Sequence, residues 1–159
     1  LSDVINCIRY KKRKRYFNHS NAAAVREHIG ADIWDSYFKF CFERNPYDKA
    51  ISHYYWVTQE PRPSIAEYLA ETEENYLSDW DMYTLDDQIA VDFVGRYETL
   101  HNELAAVSER LKRRLVPLVQ TKGDIREDKR SYRTVLDSTA RTHIEHIFAN
   151  ELRASNYSW

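Results

Sequence analysis

Apolar and polar positions along the chain repeat with two different periods, and the changes of period mark out the elements. Phe38, Phe40, Cys41 and Phe42 make a short apolar run of strand length, ended by Arg44-Asn45-Pro46. Asn45 suits a helix N-cap and Pro46 a first helical residue, so the pattern predicts strand, turn and a helix "NPYDKAISHYYWVTQ" that stops at "EPRPS". The strand is read over "WDSYFKFCFER". Upstream, a short strand is expected at residues 15–18, followed by a helix that Ser20 or Asn21 can cap and Gly30 ends. Downstream, Ser64 recaps a helix over "IAEYLAETEENY", and "LSDWDMYTLDDQ" reads as an ordered loop whose aromatic residues have apolar surface to bury. "IAVDFVGRYE" supplies a third strand, and a long helix follows over residues 100–115, punctuated by Pro117. After a charged loop, one closing helix places Val135, Ile144, Ile147, Phe148 and Leu152 on a single side. Three short strands alternating with helices imply a helix-rich α/β fold, a small parallel sheet flanked by helices.

Composition sets limits on this picture. The 159 residues, 43% hydrophobic and 14% aromatic, suffice for one domain spanning 1–159 with a real core. A net charge of −2 argues against a global positive field for nucleic acid, so any anion site must be local. Cys7 and Cys41 make no disulfide framework, and Cys41 inside the apolar run reads as a buried free thiol. No apolar segment approaches the roughly 20 residues of a membrane span and no signal-peptide pattern opens the chain, which reads as a soluble protein. Its three glycines form no phosphate-cradling cluster, so a Walker-type loop is absent and a small kinase is disfavoured. The sequence offers no metal constellation either: His143 and His146 lack a third clustered ligand.

Arg44 and Ser52 come first as candidate chemistry. A residue at the carboxyl end of a strand and one two turns into the following helix can face one crevice at the sheet edge. There a guanidinium, a hydroxyl and the unpaired N–H groups of a helix start together suit a phosphate. The alternative is structural: Arg44 pairs with Asp48 or Glu98, and Ser52 is an ordinary helix residue. His53 and His101 read as helix-surface residues.

The segment "FKFCFERNPYDKAISHYYW" resembles the one that sulfotransferases use to hold the 3′-phosphate of 3′-phosphoadenosine-5′-phosphosulfate (PAPS), with an Arg-Asn-Pro turn and a Ser eight residues after the Arg. "HSNAAAVREHIGADIWDSY", "VDFVGRYETLHNEL" and "RTHIEHIFANELRASNYSW" are similar, in the same order, to segments of the carbohydrate-type sulfotransferases related to the heparan 2-O and chondroitin enzymes. The resemblance covers about residues 17–159. It implies a P-loop-like sulfotransferase fold and transfer of a sulfuryl group from PAPS to a carbohydrate hydroxyl, without a metal.

On that resemblance Arg44 and Ser52 become 3′-phosphate ligands, and His19 matches a catalytic histidine, its neutral imidazole taking the proton of the attacking hydroxyl. The structural reading of His19 is a helix cap or an exposed side chain. Glu98 and Asp48 are weaker candidates for a base or orienting group. "TKGDIREDKRSYR" resembles the family's nucleotide-closing segment, which would bring Lys122, Arg126, Arg130 and Tyr132 to phosphate or adenine; otherwise it is a solvated loop. "KKRKR" at 11–15 either steers an acidic glycan or is a solvated linker. The chain departs from the family in one respect: nothing before His19 matches the Lys-bearing loop that holds the 5′-phosphosulfate. The expectation is that this strand and loop lie upstream of Leu1; the competing reading is a non-catalytic nucleotide or anionic-glycan binding module of the same fold. The expected compartment is the cytoplasm, or the Golgi lumen for a fragment of a longer anchored protein, and no membrane insertion is expected.

Overall fold

The computed structural model describes residues 19–115 and 126–159, which divide into two compact units: residues 19–39 with 80–92, and the remaining described residues. In the first unit, α1 (Ala22–Ile29) starts where Asn21 accepts from the Ala24 N–H at 2.9 Å, and it stops at Gly30, whose φ of 87° suits glycine. Both ends fall where the capping residues place them. Gly30 then accepts from the Trp34 N–H and opens α2 (Ala31–Ser36) directly. Residues 34–36 are therefore helical instead of the start of a strand. Asp35 and Ser36 separate Trp34 from the apolar run, and the helical turn buries the Trp34 ring.

The acidic aromatic stretch also has regular structure. A helical turn, α3 (Trp80–Tyr83), leads into the antiparallel pair β2 (Thr84–Leu85) and β3 (Gln88–Ile89). The two residues between the strands, Asp86 and Asp87, have φ of 49° and 58°. Left-handed backbone at both central positions matches the twist of a two-residue hairpin, and aspartate tolerates it better than most residues.

In the second unit β1 (Phe40–Glu43) and β4 (Phe93–Arg96) pair in parallel, with Phe40 opposite Phe93 and Glu43 opposite Arg96. Around them stand α4 (Pro46–Val57), α5 (Ile65–Glu71), α6 (Glu74–Leu77), α7 (Leu100–Leu111), α8 (Tyr132–Val135), α9 (Ser138–Ile147) and α10 (Ala149–Ser155). A single 3₁₀ turn, Tyr97–Thr99, joins β4 to α7. The described chain is thus helix-rich α/β with a small parallel sheet. The strand expected at residues 15–18 lies outside the described residues. Among the described residues no helix is long and apolar enough to cross a membrane.

Helix starts follow local chemistry. Asn45 caps α4 by accepting from the Tyr47 N–H, with Pro46 in the first turn, and Ser64 and Glu67 form a reciprocal capping box on α5. The closing helix is three helices instead of one. Asp137 accepts from the Ala140 N–H at 2.7 Å and so restarts the chain as α9, and non-helical backbone at Phe148 separates α9 from α10. The break lets Phe148 bury fully while Ile144 stays in the same core.

That core gathers Tyr47, Ala50, Ile51 and Tyr54 of α4, Tyr68 and Leu69 of α5, and Tyr132, Leu136, Ala140, Ile144 and Phe148, with Val135, Ile147 and Leu152 packed against it. It is rich in tyrosine, and each buried phenol finds a partner as burial demands: Tyr47 donates to Glu145, Tyr54 to the Pro63 carbonyl and Tyr132 to the Ser158 carbonyl, while Tyr68 meets His53.

Candidate functional site

Arg44 is the first residue after β1, and it stands just before the N-cap of α4. Its guanidinium lies over the Tyr97 ring, 5.3 Å from the centroid, and among the described residues it forms no ion pair. The two carboxylates that could neutralise it are engaged elsewhere. Asp48 accepts from Arg126 Nη1 at 2.6 Å. Glu98 accepts from the Asn45 N–H at 2.7 Å and from the Tyr157 hydroxyl at 2.5 Å. The same hydroxyl stands 3.4 Å from the Glu43 carbonyl, so Glu98 and Tyr157 clamp the strand-to-helix turn from outside. Burial and the Glu98 carboxylate both hold the Tyr157 phenol above its ordinary value.

Beneath the turn lies a charged network. Glu43, 3% exposed, pairs with Lys49 Nζ at 2.7 Å, and Lys49 also reaches Asp79 at 3.1 Å while lying over the Phe148 ring. Burial pushes the Glu43 carboxyl up, Lys49 pulls it back, and Asp79 and Glu151 push it further up. Cys41, free and half-buried, has its thiol pushed up to about 12, first by burial and then by Glu43 and Asp79. It is a thiol and not a nucleophile at neutral pH. Glu151 is itself buried and accepts from Ser78 at 2.5 Å. This network fixes the end of β1, and among the described residues none of its carboxylates pairs with the Arg44 guanidinium.

Ser52 sits within α4, one turn beyond Asp48 on the same face, half-buried and with no hydrogen bond from its hydroxyl among the described residues. Because Arg126 grips Asp48, its guanidinium stands on that face too. Arg126 is otherwise occupied in shaping its own loop, donating from Nε to the Asp128 carbonyl and from Nη2 to the Arg130 carbonyl, both at 2.6 Å. Arg130 closes a fork on Asp128, whose carboxyl is held down to about 2 by those hydrogen bonds. Tyr132 is a core residue, stacked on Tyr47 with centroids 5.1 Å apart. Lys122 and the run "KKRKR" lie outside the described residues.

His19 belongs to the first unit, exposed in a turn with φ of 58° ahead of α1. The cap of that helix is Asn21, not His19. His101 is exposed on α7, as its position suggested. His53 is half-buried instead of fully on the helix surface: its Nδ1 stands 2.5 Å from the Tyr68 hydroxyl and its ring meets the Tyr76 ring edge-on at 5.4 Å. Neither His53 nor the Glu98–Tyr157 clamp was visible in the pattern of residues, since their partners come from other helices and from the far end of the chain. The one available signal was the polar residue His53 placed near the apolar face of α4.

Among the described residues no group of three or more His, Cys, Asp or Glu side chains is gathered to hold a metal ion. No protein-family model matches the chain, and no solved structure matches it. The chain is similar to an uncharacterized protein of Archaeoglobus fulgidus, 29% identical over 93 residues that cover 55% of this chain and 78% of that protein.

Proposed function

We propose that the turn between β1 and α4 is an anion site, that its ligand is the 3′-phosphate of PAPS, and that the protein is a sulfotransferase acting on a carbohydrate hydroxyl. The observation that carries the site is Arg44: a guanidinium at the end of a parallel strand and beside a helix N-terminus, held by a ring and paired with no carboxylate among the described residues. Ser52, with its hydroxyl uncommitted, adds a second donor. On this reading Arg126 orders the loop through Asp48, His19 serves as the base, and Lys122, Arg130 and Tyr132 belong to the segment that borders the nucleotide.

A second reading, a non-catalytic nucleotide or anionic-glycan binding module, draws support from Arg126 and Arg130, whose charges are already matched by Asp48 and Asp128. It shares the phosphate site and lacks the transfer step.

Calorimetric titration with adenosine 3′,5′-bisphosphate and adenosine 5′-monophosphate tests the site. The bisphosphate binds more tightly in the wild type. Losing a hydrogen bond to a charged partner costs about 1.5–3 kcal/mol, so Arg44→Ala weakens the bisphosphate roughly tenfold to a hundredfold. Ser52→Ala costs less, and neither changes the monophosphate. Equal affinity of the folded wild type for both nucleotides refutes the site. Sulfuryl transfer from PAPS to sugar acceptors, measured with wild type and His19→Ala, separates the enzyme from the binding module.

A further inference from the structure

His53 stands where three segments meet. It projects from α4, its Nδ1 is 2.5 Å from the Tyr68 hydroxyl of α5, and its ring packs edge-on against Tyr76 of α6. Tyr76 is 66% exposed even with the His53 ring against it, so it is the loosely held side of this contact. The groups facing His53 are Tyr68 from α5, Tyr76 from α6 and the Asp79 carboxylate that follows α6; Thr72, on the turn after Tyr68, donates to the Tyr68 carbonyl. Lys49, one turn earlier on α4, is committed to Glu43 and Asp79.

From this geometry we infer that His53 is an acid-sensitive latch: neutral, it accepts from the Tyr68 hydroxyl and keeps the Tyr76 ring of α6 against α4; protonated, it loosens both contacts while Tyr68, Leu69 and Leu77 stay in the core. The chemistry runs through one proton. A neutral imidazole with its hydrogen on Nε2 offers Nδ1 as the acceptor for Tyr68. Protonation puts a hydrogen on Nδ1, so two donors then face each other unless the phenol turns its hydrogen away into a half-buried site. The imidazolium also carries charge into apolar surroundings, against which Asp79 is a partial counterweight. Burial accordingly holds the imidazole below its ordinary value, the Asp79 charge opposing.

The sign follows. A histidine whose folded value lies below its unfolded one favours the fold fully above the unfolded value, and that contribution is lost as pH falls from about 6.5 toward the folded value. The loss concentrates within residues 64–78, at the Tyr68 and Tyr76 contacts that His53 makes, while Leu69 and Leu77 remain packed in the core. The latch is independent of the phosphate reading, since it needs no ligand.

Hydrogen exchange read by mass spectrometry, corrected for intrinsic rates and compared at about pH 7.5 and about pH 5.5, tests it. Protection of peptides within 64–78 drops at the lower pH while the α9 core keeps its own. His53→Gln, which keeps a side-chain acceptor but cannot take up the proton, abolishes the pH response. An unchanged pH response in His53→Gln, or a wild type whose 64–78 segment is equally protected at both pH values, overturns the inference. Where the variant fails to fold, direct NMR titration of the wild-type His53 ring decides: a midpoint below that of histidine in the unfolded chain supports the latch, and one at or above it overturns it.

Discussion

Replacing Glu98 by alanine isolates the clamp on the strand-to-helix turn. Glu98 is not in the core, yet one of its oxygens is the acceptor for the Asn45 N–H and the other for the Tyr157 hydroxyl. Asn45 is only 9% exposed, so its N–H has little water to turn to once the carboxylate is gone. Leaving such a donor unsatisfied costs about 1–3 kcal/mol. For a chain of this length each kcal/mol lowers the melting temperature by about 2–4 °C, so Glu98→Ala should lower it by roughly 2–12 °C. Glu98→Gln retains an acceptor for Asn45 and should lose less. Tyr157→Phe removes the other half of the clamp, and the double variant should be less destabilised than the sum of the single ones, with a coupling of about 0.5–3 kcal/mol. Thermal and urea unfolding followed by circular dichroism give the values for all four variants. If the turn holds a phosphate as proposed, the same variants should also weaken adenosine 3′,5′-bisphosphate, because Glu98 positions the Asn45 backbone beside Arg44. Single variants that each melt with the wild type, or single effects that simply add, would refute the clamp.

Two further outcomes follow from the neighbourhood of β1. Gly95→Ala places a methyl 2.7–2.9 Å from the Phe42 and Phe93 rings, so it should cost about 1–3 kcal/mol in urea unfolding despite the better strand propensity of alanine; a stabilised variant contradicts the packing. Lys49→Met removes the cation that pulls Glu43 down, and breaking a buried pair this way costs about 3–5 kcal/mol at neutral pH. A carboxyl that folding pushes up favours the fold at acid pH and loses that contribution as pH rises through its folded value. Without Lys49 the loss is larger and reaches to higher pH, so the stability curves of variant and wild type should diverge from mildly acid to neutral pH. Parallel curves would show that Lys49 does not govern Glu43.

What could be read in the residues was the chemistry that acts over a few positions. Asn21 with Gly30, Asn45 with Pro46 and Ser64 with Glu67 each satisfy orphan backbone groups within one turn, and their helices begin or end where these residues stand. The strand ahead of Arg44 was legible in part for the same reason, although β1 covers only Phe40–Glu43 of the stretch read for it. Residues 34–36, the hairpin at Asp86–Asp87 and the breaks at Asp137 and Phe148 were not, because there burial of Trp34 or Phe148, or a turn built from unusual backbone, decides between local conformations of similar energy. At the site, the positions of Arg44 and Ser52 were legible and their surroundings were not. The partners arrive from far along the chain: Glu98 is 53 residues from Asn45, and Arg126 is 78 from Asp48.

Residues 157–159 bear on how the second unit closes. Trp159 packs edge-on against Tyr47 and Tyr132 under the Arg141 guanidinium, and Tyr157 reaches back 114 residues to the Glu43 carbonyl. Contacts of such separation close the largest loops and carry the greatest entropic cost, so they are the slowest to form. During synthesis the Asn45 turn stays without its outer clamp until Tyr157 has left the ribosome. Residues 157–159 are therefore the closing stitch of this unit: anything that displaces them reaches the Arg44 turn first and the tyrosine core next.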